Sequence, residues 1–113
     1  MEDNIRPWGF FETLSDSETH KIKRITVFPG KRLSLQKHLK RSEHWFLVHG
    51  NAVVTCGKKL ITLSDGDHVN IGECQEHRIE NIGNEDLVFI EIQTGSYFGE
   101  DDIIRIEDDF GRV

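Results

Sequence analysis

Apolar and polar positions alternate along most of this chain in runs of four to eight residues, with Gly, Pro, Asp or Asn between the runs. Residues 21–28, KIKRITVF, are rich in β-branched and aromatic side chains and stop at Pro29-Gly30, which predicts a strand ending in a turn. Residues 52–56 and 60–63 flank Gly57-Lys58-Lys59, the pattern of a tight hairpin. Asp65-Gly66-Asp67 predicts a further turn before a short strand over 68–71. Residues 77–82 alternate, with His77, Ile79 and Asn81 on one face, and 87–93 form the most apolar run in the chain. No helical period occurs before Gly95, so the pattern predicts an all-β antiparallel sandwich or barrel.

The two ends read differently. Arg6-Pro7-Trp8-Gly9 followed by Phe10, Phe11 and Leu14 predicts an extended arm that docks aromatic groups, since Pro7 disfavours a helix, and 15–19 read as a polar turn. In the tail GSYFGEDDIIRIEDDFGR, the isoleucines Ile103, Ile104 and Ile106 are expected to face the core, from either a short helix or an extended arm.

The candidate chemistry lies between Gly30 and Gly50, in GKRLSLQKHLKRSEHWFLVHG. Gln36 and His38 are two apart, so on a strand both leave the same face. Glu43 follows a polar interval over 39–42 that could turn the chain, and a hairpin would bring it opposite the other two. Three such residues fit the ligands of one metal ion, and equally a solvated polar face.

At 113 residues the chain is long enough for one domain, which buries roughly two thirds of its unfolded surface and needs no staple. The cysteines Cys56 and Cys74 read as free thiols of a reducing compartment. The first residues carry no apolar leader, and no apolar run approaches the ~20 residues of a membrane span, so a soluble cytoplasmic protein without a membrane partner is expected. A net charge of −6 argues against nucleic acid as a partner. An anionic ligand would have to meet the local cluster Lys31, Arg32, Lys37, Lys40 and Arg41, which otherwise serves to solvate a strand edge.

The stretch from Gly30 to Gly50 follows the spacing G-x5-Q-x-H-x4-E-x6-G, and Gly66, Gly72, Cys74, His77 and Asn81 follow G-x5-G-x-C-x2-H-x3-N. Together they resemble the two-motif signature of the cupin superfamily. The resemblance implies a double-stranded β-helix, or jelly-roll barrel, with one metal in its mouth. It gives a single domain over 1–113, with an arm at 1–20, a barrel core at 21–95 and a tail at 96–113. The ligands it implies are Gln36, His38, Glu43 and His77.

Further landmarks are similar to the type II mannose-6-phosphate isomerase cupin. They are Gln36 in the first ligand position, Arg41-Ser42-Glu43-His44-Trp45, His77-Arg78-Ile79-Glu80-Asn81, Arg6-Pro7-Trp8-Gly9, and the tail from Gly95-Ser96-Tyr97 to Gly111-Arg112. In that family the module commonly follows a mannose-1-phosphate guanylyltransferase part, which has no counterpart here, so a stand-alone domain without nucleotidyl transfer is expected.

The implied activity interconverts mannose 6-phosphate and fructose 6-phosphate through an enediolate. The implied cofactor is a divalent ion, zinc first, with manganese, iron and nickel suited to the same donors. The phosphosugar would be anchored by Arg41 first, then Lys40, Arg78 or Arg105. His44 is the first choice of proton-transfer base, although strand alternation turns it from Glu43, and Glu91 and Glu80 are the others. Family members pair through strands or arms, so a homodimer is expected. The alternative is a non-catalytic metal-binding cupin that recognises a sugar phosphate or nucleotide sugar.

The chain departs from the family's Met-His-His-His-Arg run, reading Lys37-His38-Leu39-Lys40-Arg41, and Gly72 and Cys74 replace the proline and glycine usual in the second motif. A lysine ~6 Å from a divalent ion would be repelled by about 5 kcal/mol, so Lys40 is expected to point away from the metal, to meet the substrate phosphate, or to mark a site that no longer works as in the family.

Overall fold

The computed structural model describes residues 4–113, and the first three residues of the expected arm lie outside that range. Among the described residues, eleven strands form two antiparallel sheets. The first sheet contains β1 (Ile5–Arg6), β2 (Gly9–Asp16), β3 (His20–Val27), β5 (Arg41–His49), β8 (His68–Ile71) and β10 (Leu87–Gly95). The second contains β4 (Leu35–Lys37), β6 (Ala52–Cys56), β7 (Lys59–Leu63), β9 (His77–Asn81) and β11 (Ile104–Glu107). Strand order is β1-β2-β3-β10-β5-β8 in one and β11-β4-β9-β6-β7 in the other, an all-β architecture as the alternation predicts and the double-stranded β-helix that the resemblance implies.

Alternation decides what each strand sends inward. On β5 these are Arg41, Glu43, Trp45 and Leu47, and on β10 they are Leu87, Phe89, Glu91 and Gln93. Register sets Leu47 against Phe89, Trp45 against Glu91 and Glu43 against Gln93. The interior therefore changes character along the barrel. At one end Val27, Leu47, Val54, Ile79, Leu87 and Phe89 make a dry core, and each such side chain contributes roughly 1.5–3 kcal/mol by leaving water. At the other end the same strands send in Lys23, Arg41, Glu43, His77 and Glu91. Trp45 lies between, its ring centroid 5.1 Å from Phe89 and 5.5 Å from His77.

Three sequence expectations change. Residues 30–50 do not form a hairpin: β4 pairs with β9 and β11, whereas β5 pairs with β8 and β10 in the other sheet. Glu43 meets His38 because the chain crosses between sheets at 38–40, not because the two strands pair. The arm is largely sheet, since β2 pairs with β3 along most of its length. The tail is extended, and its alternation directs Arg105 inward while Ile104 and Ile106 stay exposed, leaving only Ile103 against the interior.

Candidate metal centre and the pocket around it

His38 lies just past β4, Glu43 is in β5 and His77 opens β9. Their ligating atoms all fall within 4.8 Å of one another, and all three residues are buried. Oε2 of Glu43 is 3.3 Å from Nε2 of His38, and Oε1 is 3.8 Å from Nε2 of His77. Gln36 is also buried in this pocket and is the register partner of His77.

Backbone carbonyls fix both imidazoles. Nδ1 of His38 is 2.6 Å from the carbonyl oxygen of Asp102, and Nδ1 of His77 is 2.9 Å from that of Gln75. A carbonyl can only accept, so each Nδ1 carries the hydrogen and each Nε2 presents its lone pair to the cluster. Burial, aided by Arg41, holds His38 down to about 4, and burial lowers His77 as well, so both rings stay neutral near pH 7. Two neutral imidazoles and one carboxylate converging from three segments fit a divalent ion, with the neutral amide of Gln36 beside them as a further oxygen donor.

Arg41 is bound to the same atoms. Its Nε donates to Oε2 of Glu43 at 2.8 Å, and its Nη2 donates to Nε2 of His38 at 3.1 Å. Two cations cannot share those lone pairs at that spacing, so a metal ion there and the guanidinium in this position exclude each other.

A second carboxylate lies behind the first. Trp45 Nε1 donates to both Oε1 of Glu43 at 2.9 Å and Oε2 of Glu91 at 3.2 Å, and Gln93 Nε2 donates to Oε1 of Glu91 at 2.6 Å. Burial, reinforced by the charge of Glu43, pushes Glu91 up to about 7.

Gln36, His38, Arg41, Glu43, Trp45, His77 and Glu91 line one pocket, which encloses about 600 Å3 of space with the open solvent at its mouth included. Arg6, Arg105 and Arg112 line it as well.

The other sequence-nominated residues are dispersed. His44 is on the outer face of β5, where its Nδ1 meets Oδ1 of Asn70 and its ring lies 5.1 Å from His68. Alternation next to inward Glu43 puts it there, so it cannot reach a substrate bound at the cluster. Lys40 is exposed, with Nζ 5.3 Å from the Tyr97 ring centroid, away from the ligands. Arg78 is buried against the tail, with Nε on the Leu33 carbonyl at 2.8 Å and Nη1 on Glu107 at 2.9 Å. Arg32 is paired with Asp109, so the basic cluster of 31–41 is not one patch. Glu80 is part-exposed outside the pocket lining. Cys56 is buried and Cys74 exposed, both as free thiols.

Several contributors have only a partial signature in the sequence. Inward alternation through Glu91 reaches Gln93, as alternation through Glu43 reaches Trp45. Asp102 has none, being 64 residues from His38, yet its carboxylate also accepts from the backbone N–H of Leu39 and Lys40 at 3.0 Å each. The tail thereby clamps the loop that carries a ligand.

The sequence model of the mannose-6-phosphate isomerase C-terminal family matches residues 2–108. The xanthan biosynthesis protein XanB of Xanthomonas campestris is 46% identical over 108 residues, covering 96% of this chain and 23% of that protein. The alginate biosynthesis protein AlgA of Pseudomonas aeruginosa is 47% identical over 108 residues, covering 96% of this chain and 22% of that protein. A mannose-1-phosphate guanylyltransferase of Sinorhizobium fredii is 46% identical over 105 residues, covering 93% and 20%. The chain thus spans about a fifth of the length of these relatives. Among solved structures, a Klebsiella pneumoniae protein with a double-stranded β-helix domain matches at TM-score 0.78 and 18% identity, covering 95% of this chain and 94% of that one. Oxalate decarboxylase of Lactobacillus farciminis matches at TM-score 0.78 and 22% identity, covering 89% and 32%. Both likenesses concern the fold.

Proposed function

We propose, from the premise that the chain belongs to the mannose-6-phosphate isomerase C-terminal family, that it is a metal-dependent aldose–ketose isomerase acting on mannose 6-phosphate and fructose 6-phosphate. The observation that carries this reading is the His38, Glu43 and His77 cluster, buried and with both Nε2 lone pairs turned to one point beside an open pocket.

His38, Glu43 and His77, with Gln36 beside them, would hold the ion. When bound, a divalent ion supplies positive charge that polarises the substrate carbonyl and stabilises the enediolate. Zinc comes first among the ions suited to these donors, ahead of manganese, iron and nickel.

The residues of the chain do the rest. The walls of Trp45, Trp8 and Phe11 limit water around the reacting carbons. Glu91 replaces His44 as the proton carrier, because it lines the pocket next to Glu43 and its burial sets its affinity for a proton near neutrality. Its carboxylate takes the proton from C2 of the aldose and returns it to C1, while a second proton passes from the oxygen on C2 to the oxygen on C1; reversal gives the aldose.

Stand-alone activity, cytoplasmic location and a homodimer belong to the same proposal. Among the described residues, no helix is long and apolar enough to cross a membrane. The alternative, a non-catalytic cupin that recognises a sugar phosphate or nucleotide sugar, draws on Arg41, whose guanidinium occupies the atoms of Glu43 and His38 that an ion would need. A coupled assay separates the two. The isomerase reading expects turnover of mannose 6-phosphate that a chelator abolishes and a divalent ion restores. Ligand-induced stabilisation without turnover would favour the alternative.

A further inference from the structure

Arg105 sits in a register that leads to the ligands. It pairs with Gln36 across β11 and β4, and Gln36 pairs with His77 across β4 and β9. Inter-strand spacing places Arg105 about 10 Å from His77 along this row. That span is comparable with the length of an open-chain hexose phosphate from its carbonyl end to its phosphorus.

The local chemistry around Arg105 suits an anion. Among the described residues, its Nε is buried without a hydrogen-bond partner, a condition that costs free energy unless a ligand supplies an acceptor. Arg6 from β1 and Arg112 from the tail line the same pocket. The Arg6 guanidinium lies 5.0 Å over the Phe11 ring and that of Arg112 5.8 Å from the Phe110 centroid, so aromatic faces help hold both. Arg112 also donates Nε and Nη2 to Asp108. Burial first, then the like charges of Arg112 and Arg6 against the opposite pull of Asp108, make it harder for Arg105 to keep its proton.

Three further cations near the pocket are each held by a partner. Arg41 is on Glu43 and His38, Lys23 is on Glu100 at 2.6 Å, and Arg78 is on Glu107.

We propose that Arg105, flanked by Arg6 and Arg112, binds the phosphate monoester end of the substrate, two strands away from the carbonyl end held at His38, Glu43 and His77. The planar fork of a guanidinium matches two phosphate oxygens at once, which fixes the position of the sugar chain as well as its charge. This assignment deepens the sugar-phosphate reading and rests on it. Of the four anchors that the sequence suggests, it selects Arg105 and adds two that sequence does not offer.

The test is calorimetric titration of the purified chain with fructose 6-phosphate, with unphosphorylated fructose and with inorganic phosphate. Wild type should bind the phosphate ester, inorganic phosphate should compete for that site, and fructose should bind far more weakly. Arg105→Gln should weaken fructose 6-phosphate binding by about 10-fold or more, and Arg105→Lys, which keeps charge without the fork, by less. Lys40→Gln serves as the control and should bind like wild type. Circular dichroism and melting confirm that each variant is folded, and Arg6→Gln gives an independent loss should Arg105→Gln unfold. Binding of the phosphate ester within about twofold of wild type by folded Arg105→Gln and Arg6→Gln would overturn the assignment. So would fructose binding as tightly as its phosphate. Phosphate-ester binding that needs Arg105 but comes without turnover would leave this site standing and remove the isomerase reading. Turnover at unchanged KM in Arg105→Gln would do the reverse.

Discussion

Arg41 Nε lies 2.8 Å from Oε2 of Glu43, and both side chains are buried. Removing the cation leaves a buried carboxylate unpaired, so Arg41→Met should destabilise the chelated protein by roughly 3 kcal/mol. A divalent ion placed on Glu43 substitutes for the lost charge. The melting temperature of Arg41→Met should therefore rise more on adding zinc or manganese than that of wild type. Equal metal-induced shifts would show that Arg41 and the metal do not compete for the same atoms.

Glu91 gives a pH dependence of stability in the chelated protein. Its folded value of about 7 lies above the ordinary 4.5, so the native state binds more protons than the unfolded state between these values. Its stabilising effect is complete below pH 4.5 and is lost as pH rises through 7. Glu91→Gln keeps the shape and removes the titration, and it should be up to about 3 kcal/mol more stable than wild type at pH 8, relative to the difference at pH 4. Urea unfolding at the two pH values measures this, and a constant difference would contradict it. The same variant should lose turnover while retaining bound metal.

His38 acts in the opposite direction. Its folded value of about 4 lies below the ordinary 6.5, so the unfolded state binds the extra proton. The native state is unaffected above pH 6.5 and loses up to about 3 kcal/mol as pH falls toward 4. Comparing unfolding of wild type and His38→Gln at pH 7.5 and pH 4.5 isolates this loss, which should be absent from the variant.

Gly95 closes β10 opposite Arg41, at φ +146°. A Cβ there would stand 2.3 Å from the Lys40 carbonyl oxygen and 2.8 Å from Cα of Arg41, both backbone atoms. Gly95→Ala should cost roughly 2 kcal/mol or more and should weaken metal binding, because the start of β5 must shift. Denaturant melts and metal titration of this variant check both effects.

Much of the architecture is legible because period-2 alternation is strong where a strand is buried on one side. β5 and β10 show it throughout, and their inward polar residues mark the site end of the barrel. The crossing at 38–40 is not legible, since a short polar interval serves a hairpin and a sheet-to-sheet corner equally well. The tail misleads for a related reason. Its isoleucines suggest a core-facing stripe, but β11 turns Arg105 inward, so alternation sends Ile104 and Ile106 outward. Strand alternation alone already argues against His44, and favours Glu91 only once the register with Trp45 is known. Arg6 and Arg112 meet Arg105 from opposite ends of the chain, a proximity that exists only in three dimensions.

The most direct measurement combines metal analysis with a coupled isomerase assay on wild type and Glu43→Ala, with folding verified by circular dichroism. Wild type should hold one divalent ion per chain and turn over mannose 6-phosphate, with both lost together in the folded variant. Turnover that survives the loss of Glu43 and of the ion would contradict a metal-centred isomerase.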